Sequence, residues 1–217
     1  MPESTTATAV AGPNVGECLR AGLATFKTHA KVLFLGFLIF VAANIVLSVL
    51  LQLLAGSLGL FLIVMLSAAS IIPSLLLLPG LYSMALKAAR GQNPELRDLM
   101  LMFNDRFIHH LGMLLLQSCG ALACGIGVIV TQALFIPGSF MVIDRKMDWD
   151  GAMGMCVESI KPKLVNWIVF SLLLFLAGLA GVLACGIGVL VTGPIVLCAW
   201  AHGYLSAFKS EPPKPAA

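Results

Sequence analysis

Residues 122–131 read LACGIGVIVT, and residues 183–192 read LACGIGVLVT, 61 positions further along the chain. Nine of the ten positions are identical. An internal repeat of this period in an apolar chain indicates a duplicated supersecondary unit. Both copies carry a glycine pair, and glycine supplies the backbone freedom that a tight helix–helix turn needs. The repeat therefore predicts two equivalent helical hairpins.

Three long stretches without charged side chains surround these turns. Residues 32–86, 107–143 and 164–208 contain no Asp, Glu, Lys or Arg over 55, 37 and 45 positions. A transmembrane helix needs about 20 apolar residues to cross a hydrocarbon core of about 30 Å. Each stretch is long enough for two crossings, with the sequence GSLG at 56–59 as the turn in the first. A glycine pair inside one continuous helix, serving as a packing notch, is the alternative to a turn.

Cations flank every uncharged stretch at both ends. Lys and Arg collect on the cytoplasmic side of a membrane, so each stretch is expected to begin and end there. The charge pattern predicts an all-α integral membrane bundle of six helices in three hairpins, with both termini in the cytoplasm. Residues 107–143 offer the shortest helices, and a re-entrant pair that does not fully cross is the alternative there.

The composition supports a membrane protein. Hydrophobic residues make up 59% of the 217 positions, charged residues 11%, and the mean hydropathy is +1.00. Soluble domains carry about 25% charged residues. The net charge of +3 is too small for a nucleic-acid footprint. No signal peptide is predicted, so the first transmembrane helix is expected to direct insertion.

An amphipathic helix on the cytoplasmic side is predicted before each hairpin, and we refer to these three segments as elbows. Asn14 and Glu17 resemble a capping box at the start of the first elbow. Asn93 and Pro94 begin the second, and Asp148 begins the third. The predicted apolar stripes are Val15, Leu19, Gly22, Leu23 and Phe26; Leu96, Leu99, Met100, Phe103 and Phe107; and Trp149, Ala152, Met153, Cys156 and Ile160. Such helices lie in the membrane interface or pack on the end of the bundle.

The chain divides into one domain and two tails. Residues 1–13 and 209–217 are predicted to be disordered. Residues 14–208 form a single transmembrane domain, with hairpin units at about 14–90, 91–146 and 147–208. Tyr82, Phe140 and Tyr204 each precede a cation by five positions, which favours a threefold repeat.

His202 is the most prominent candidate for a functional site. An ionisable residue inside a membrane helix is a functional candidate by default. The alternative is a neutral histidine that hydrogen-bonds a neighbouring helix. Asn44, Gln117 and Gln132 complete the candidate intramembrane polar site, although scattered amides also serve as hydrogen-bond partners between helices.

Aromatic and cationic residues near the predicted helix ends are candidate anchors at the membrane interface, where Trp and Tyr are enriched. They are Tyr82, Lys87, Trp149, Trp167, Tyr204 and Lys209. His109 and His110 are likewise expected at the headgroups.

No catalytic motif, metal-ligand spacing or cofactor site is evident. The six cysteines form no CxxC pair. Cys124 and Cys185 are equivalent in the repeat, and either a disulfide or small-residue packing accounts for them. The ladders Cys119–Ala123–Gly127 and Ala177–Gly181–Cys185 are typical of close helix packing.

Ala152, Ser159, Lys163 and Trp167 form an "A…S…K…W" pattern after Pro137 and Gly138. Together with the ending GIGVLVTGP at 186–194 and Tyr204, it resembles a broad group of bacterial multipass inner-membrane proteins of unknown function. That group includes the membrane domain that accompanies some glycerophosphodiester phosphodiesterases. The resemblance covers residues 14–208 and implies a cell inner-membrane location, but no phosphodiesterase catalytic domain and no site residues carry over.

The sequence thus predicts a non-enzymatic membrane protein that acts as a scaffold, an accessory subunit or a lipid-interacting module. A small transporter or channel, monomeric or oligomeric, with His202 in its pathway is the alternative, and an intramembrane enzyme ranks third. The expected partners are the lipid bilayer and a second copy or another membrane protein at the cytoplasmic face, with no nucleic acid.

Overall fold

The structure, a computed structural model, describes residues 13–55, 71–100, 107–122, 126–183 and 188–208. Within these ranges it is all-helical. Four helical segments are long and apolar enough to span a membrane: Val15–Leu53, Gly127–Asp144, Trp149–Leu183 and Val189–Phe208. The chain therefore has the features of a membrane protein.

Seven α-helices and two short 3-10 helices make up the described chain. The α-helices are α1 (Val15–Ala55), α2 (Ile71–Ala89), α3 (Phe107–Leu122), α4 (Ile126–Asp144), α5 (Trp149–Ile160), α6 (Leu164–Leu183) and α7 (Val189–Phe208). The 3-10 helices cover Leu96–Met100 and Lys161–Lys163. The predicted tail at 209–217, residues 1–12 of the other tail, the 56–59 turn and Cys124 and Cys185 lie outside the described residues.

Two of the six predicted crossings are not among the four spanning segments. α3 has 16 residues, which at 1.5 Å each gives a length of about 24 Å. The described part of α3 is shorter than a hydrocarbon core of about 30 Å, and the structure does not describe the residues on either side of it. α2 has 19 residues and begins directly after residues that the structure does not describe.

The first elbow is continuous with the first apolar helix rather than separate from it. Helix α1 is kinked at His29, whose φ of −114° and ψ of 25° are not helical. Before the kink, Gly22 lies against Ala199 of α7, and after it Phe37 lies against Gly193. The elbow's stripe also differs from the prediction, because Leu23 is 40% exposed while Cys18 is buried.

In its described part, Leu96–Met100, the second elbow is a 3-10 helix of five residues and not the predicted α-helix. Asp98 provides a physical reason. Its Oδ2 accepts the backbone N–H of Glu95 at 3.0 Å, and its Oδ1 accepts a bond from Lys87 at 2.7 Å. These bonds hold Leu99 against Gly80 of α2, whereas Met100 points outward. Phe103 lies outside the described residues.

The third elbow is α5. Ala152, Cys156 and Ile160 are fully buried, and Cys156 donates a hydrogen bond from its thiol to the Leu134 carbonyl of α4 at 2.9 Å. Trp149 remains partly exposed. This elbow therefore packs on the bundle through one apolar face.

Helices α2, α4 and α7 meet at the centre of the bundle. The three elbows each pack on a different one of them: the 3-10 helix Leu96–Met100 on α2, α5 on α4, and the start of α1 on α7. Helix α3 packs beside α4, and α6 packs beside α7. Gly181 brings α6 and α7 together, because its Cα lies directly against Thr192.

Candidate functional site

The ends of the three central helices converge on the carboxylate of Asp144. Arg90, just beyond α2, donates a hydrogen bond from Nη2 to Oδ2 of Asp144 at 2.6 Å. The Tyr204 hydroxyl of α7 donates to the same oxygen at 3.0 Å. A single carboxylate at the end of α4 thus joins all three helices by charge-assisted hydrogen bonds.

Two cations follow Asp144 in the chain. Arg145 donates from Nη2 to the Phe208 carbonyl at 2.7 Å, which supplies a cation to the end of α7 where the helix dipole is negative. Lys146 has a φ of 53°, in the left-handed region that a side chain with a Cβ seldom adopts. This conformation ends α4 sharply and turns the chain toward α5.

A cavity of about 910 Å³ lies over these groups, and we call it the charged-end cavity. Its polar lining comes from Arg90, Asp144, Arg145, Lys146, His202, Tyr204 and Ser206. Three cations and one carboxylate face one space at the ends of α2, α4 and α7.

His202 lies in the wall of this cavity and is hydrogen-bonded. Its Nε2 is 2.8 Å from Oγ1 of Thr25 in the first elbow. The bond connects the start of α1 to the end of α7, which are 177 positions apart. His202 therefore has the hydrogen-bond partner on a neighbouring helix that the structural interpretation requires.

Aromatic rings fill the bundle beneath the cavity. The ring centroids of Tyr82 and Phe140 are 5.0 Å apart, and those of Phe140 and Tyr204 are 5.6 Å apart. Phe208 continues the stack from Tyr204 at 5.4 Å. We call Tyr82, Phe140 and Tyr204 the aromatic stack, and all three side chains are buried.

Three aromatic residues that were predicted as interface anchors are buried inside the bundle: Tyr82, Trp167 and Tyr204. Trp167 packs against Trp200 with the ring centroids 6.4 Å apart. Lys87 lies in the last turn of α2, five positions after Tyr82, whose ring packs inward on Phe140.

The other predicted anchors have mixed environments. Trp149 is partly exposed and lies against Gly112 of α3. Lys87 forms an ion pair with Asp98, whose side chain is only 1% exposed. Lys209 lies outside the described residues.

The predicted intramembrane amides do not gather around His202. Asn44 donates to the Phe40 carbonyl at 2.8 Å and accepts from Ser74 at 3.4 Å, which links α1 to α2. Gln117 of α3 lies near the Tyr82 hydroxyl, and its buried Nε2 atom has no hydrogen-bond partner among the described residues. Each amide serves a different helix contact.

Gln132 lines a second cavity, of about 380 Å³, that we call the side pocket. Helices α4, α6 and α7 form its walls, and Tyr82 reaches it from α2. Gly178 and Thr192 are small residues that leave space in the wall, whereas Leu174 and Trp200 supply apolar surface. The pocket lies within three of the segments that are apolar enough to span a membrane.

Two buried polar residues were missed or misplaced by the sequence analysis. Asp98 is buried, and its position beside Lys87 cannot be read from a spacing of 11 residues. His110 was expected at the headgroups but is 1% exposed and packs on Tyr82. The available sequence signal is spacing: His110 and Gln117 are seven positions apart, which places them on the same face of α3.

In the part of the chain that the structure describes, no three His, Cys, Asp or Glu side chains are grouped to hold a metal ion. Comparisons with protein-family models, with curated proteins and with solved structures found no match for this chain.

Proposed function

We propose that the protein is a non-enzymatic polytopic membrane protein that acts by binding, as a scaffold, an accessory subunit or a lipid-interacting module. The aromatic stack carries this proposal. It fills the space between α2, α4 and α7 directly below the charged-end cavity, where a conducting protein needs a polar path. Ions and polar solutes are not stabilised by such an apolar plug.

The bonding within the charged-end cavity supports the same role. Asp144 is engaged by Arg90 and Tyr204, and His202 is engaged by Thr25. A general acid donates a proton to the substrate and a general base accepts one, so either group must be directed at the substrate. Here the polar atoms instead join helices, which suits a rigid bundle that presents its surface to partners.

We further propose that the chain crosses the cell inner membrane six times, in three hairpins, with both termini in the cytoplasm. The pairings of α3 with α4 and of α6 with α7 support two hairpins. The short length of α3 is compatible with local thinning of the bilayer, and a re-entrant pair is the alternative.

A threefold internal repeat accounts for the arrangement of the centre. Tyr82, Phe140 and Tyr204 hold equivalent positions on α2, α4 and α7 in this scheme. Two residues before each ring, Gly80 contacts the second elbow, Gly138 the third, and His202 the first. The first and second central helices, α2 and α4, thus pack on the elbow of the next unit. The third, α7, packs on the elbow of the first unit. The proposed relationship to bacterial multipass proteins of unknown function agrees with this architecture.

One observation favours a second candidate, a small transporter or channel. His202 faces the charged-end cavity, beside Arg90, Asp144 and Lys146. An intramembrane histidine in contact with a polar cavity is a natural proton or ion carrier. In this reading, the aromatic stack is the closed gate of a pathway.

Flux through proteoliposomes separates the two candidates. The protein is reconstituted into phosphatidylcholine vesicles that contain a pH-sensitive dye, and proton entry is followed after an acid pulse. The binding role predicts the leak of empty vesicles for the native chain. A raised leak in Phe140→Ala, which opens the stack, with no change in Leu115→Ala on the exposed face of α3, would support the transporter. Native flux that His202→Gln abolishes would instead establish the transporter.

A further inference from the structure

The side pocket has the chemistry of a site for a lipid chain. Its wall is mostly apolar, with polar groups on Gln132, Thr192, Tyr82 and Trp200, and the Thr192 hydroxyl already donates to the Gly188 carbonyl at 3.1 Å. Phe175, Leu179 and Val182 at its rim are exposed, so the pocket opens on the outer surface of α6. In a bilayer that surface faces hydrocarbon.

The volume fits a ligand rather than a packing defect. Ligand pockets measure about 300–1,000 Å³, and a dry apolar cavity of about 150 Å³ already admits benzene. The side pocket is about 380 Å³. At Gly178 a Cβ atom would meet nothing within 4 Å, so the space beside α6 is open at that point.

Gln132 adds a polar group to this apolar site. It is half-buried in the wall of the pocket, and among the described residues no hydrogen-bond partner of its amide is evident. An amide in hydrocarbon is stabilised by a hydrogen-bonding partner. The polar group that accompanies a lipid chain into a bilayer is its ester carbonyl, which accepts hydrogen bonds.

The position along α4 identifies the leaflet. Gln132 is six residues from the start of α4, or about 9 Å, and twelve residues from Asp144, or about 18 Å. The side pocket therefore extends from the aromatic stack, at Tyr82, toward the end of the bundle remote from the charged-end cavity, where Val182 and Val189 lie. Lipids of the leaflet on that side are the ones within reach.

We propose that the side pocket binds one acyl chain of a membrane lipid from the leaflet remote from the charged end, with the Gln132 amide donating to the ester carbonyl. The inference rests on the proposed function only in requiring that the bundle lies in a bilayer. A transporter could bind the same acyl chain in this pocket. The flux assay therefore tests the proposed function, and the labelling test below tests the lipid site, each without depending on the other.

Photolabelling tests the site. The full chain is reconstituted into phosphatidylcholine vesicles containing a small fraction of phosphatidylcholine with a diazirine on one acyl chain. After irradiation, adducts are mapped by mass spectrometry of peptides. The proposal predicts adducts concentrated on pocket residues such as Leu174 and Trp200, above those at Val46, which is 66% exposed on α1 and samples ordinary lipid contact. Equal labelling at all three positions would overturn it.

Two variants test occupancy and polarity. Gly178→Phe fills the pocket and should reduce labelling of Leu174 about tenfold or more. A tenfold reduction corresponds to a tenfold weaker affinity of the pocket for the acyl chain. Gly154→Phe is the matched control, because a Cβ there also meets nothing within 4 Å but lies on α5, outside the pocket. Unchanged labelling in Gly178→Phe, with native thermal unfolding, would refute the site.

Gln132→Leu removes the amide and keeps the volume. It should weaken labelling by the diacyl ester probe and leave labelling by an ether-linked probe of the same chain length unchanged. Equal losses for both probes would show that the amide does not bind a carbonyl and would overturn that part of the proposal.

Discussion

Arg90 and Asp144 are 54 positions apart in the chain, and their side chains meet at 2.6 Å from Nη2 to Oδ2. Their pairing ties the end of α2 to the end of α4, and Tyr204 adds α7 through the same oxygen. Asp144 is mostly buried, so its charge is satisfied by these donors rather than by water. The arrangement makes this carboxylate the polar junction of the central helices.

Replacing Asp144 should therefore weaken the whole bundle. Asp144→Asn keeps the size of the side chain but loses the charge that Arg90 and Tyr204 engage. Hydrogen bonds to charged groups contribute about 1.5–3 kcal/mol each, and Arg90 is partly exposed, so we expect a total loss of about 2 kcal/mol. Thermal unfolding in detergent measures it. Asp150→Asn, at an exposed carboxylate on α5, should be nearly neutral.

A double-mutant cycle makes the assignment specific. Arg90→Gln should cost less in the Asp144→Asn background than in the native chain. Additive effects of the two substitutions would mean that the ion pair contributes nothing to stability.

The bond between His202 and Thr25 predicts that His202→Gln is nearly silent in stability. Glutamine keeps a hydrogen-bonding group, and an interhelical hydrogen bond in a membrane is worth about 1 kcal/mol or less. His202→Leu removes the bond and should lower the free energy of unfolding by about that amount. In a chain that already carries Thr25→Val, the bond is absent and His202→Leu should cost less. Thermal unfolding of His202→Gln, His202→Leu, Thr25→Val and the double variant of His202→Leu with Thr25→Val distinguishes these cases. A His202→Gln protein that folds normally but loses its cellular phenotype would contradict the binding role.

Close packing at Gly80 predicts a larger effect. An added Cβ would lie 2.6 Å from the backbone carbonyl oxygen of Leu99, and backbone atoms cannot move aside cheaply. Gly80→Ala should destabilise the protein by about 1–3 kcal/mol, the usual cost of overpacking. Gly154→Ala, on a helix with open space around it, is expected to be neutral or slightly stabilising. Equal unfolding temperatures for the two variants would show that the second elbow does not dock on α2 in this way.

The sequence predicted the helical class and the apolar segments because both depend on local composition and spacing. Burial around Tyr82 and Tyr204 was not predictable, since a ring near a cation lies equally well at headgroups or in a core. The prediction of an α-helix in the second elbow failed for a related reason. The apolar spacing at Leu96 and Met100 favours an α-helix, but the bond from Lys87 to Asp98 stabilises a 3-10 helix. Side-chain pairs distant in sequence leave no periodic signal.

The candidate site was predicted in the same partial way. His202 was identified by its charge-forming ring in an apolar helix, yet its partner Thr25 is at the other end of the chain. Gln132 was identified as a membrane amide, but the side pocket depends on how α4, α6 and α7 pack together. Composition finds polar groups in membranes, and only tertiary packing assigns their neighbours.

Topology is testable with cysteine labelling, but the native thiols are unsuitable. Cys18 and Cys156 are buried, so a reagent would miss them from either side. In a variant whose native cysteines are replaced by alanine, single cysteines introduced by Gln92→Cys or Glu158→Cys, at exposed positions near the charged end, should react in inverted vesicles. We expect no reaction with an impermeant maleimide applied to intact cells. Labelling of either from outside would reverse the proposed orientation.

The ion pair of Lys87 with Asp98 gives the sharpest test of the second elbow. The Asp98 side chain is 1% exposed, so removing its partner leaves a buried carboxylate without a counter-charge. Breaking a buried pair from one side costs about 3–5 kcal/mol, but Lys87 is partly exposed and water can reach its position, so Lys87→Met should cost nearer 2 kcal/mol. Adding Asp98→Asn to Lys87→Met should recover much of that loss, because the neutral amide still accepts the Glu95 N–H and no longer needs a cation. Unfolding in detergent at neutral pH compares the single and double variants. If the second substitution makes the Lys87→Met protein still less stable, Asp98 is held by its hydrogen bonds to the turn and not by the charge of Lys87.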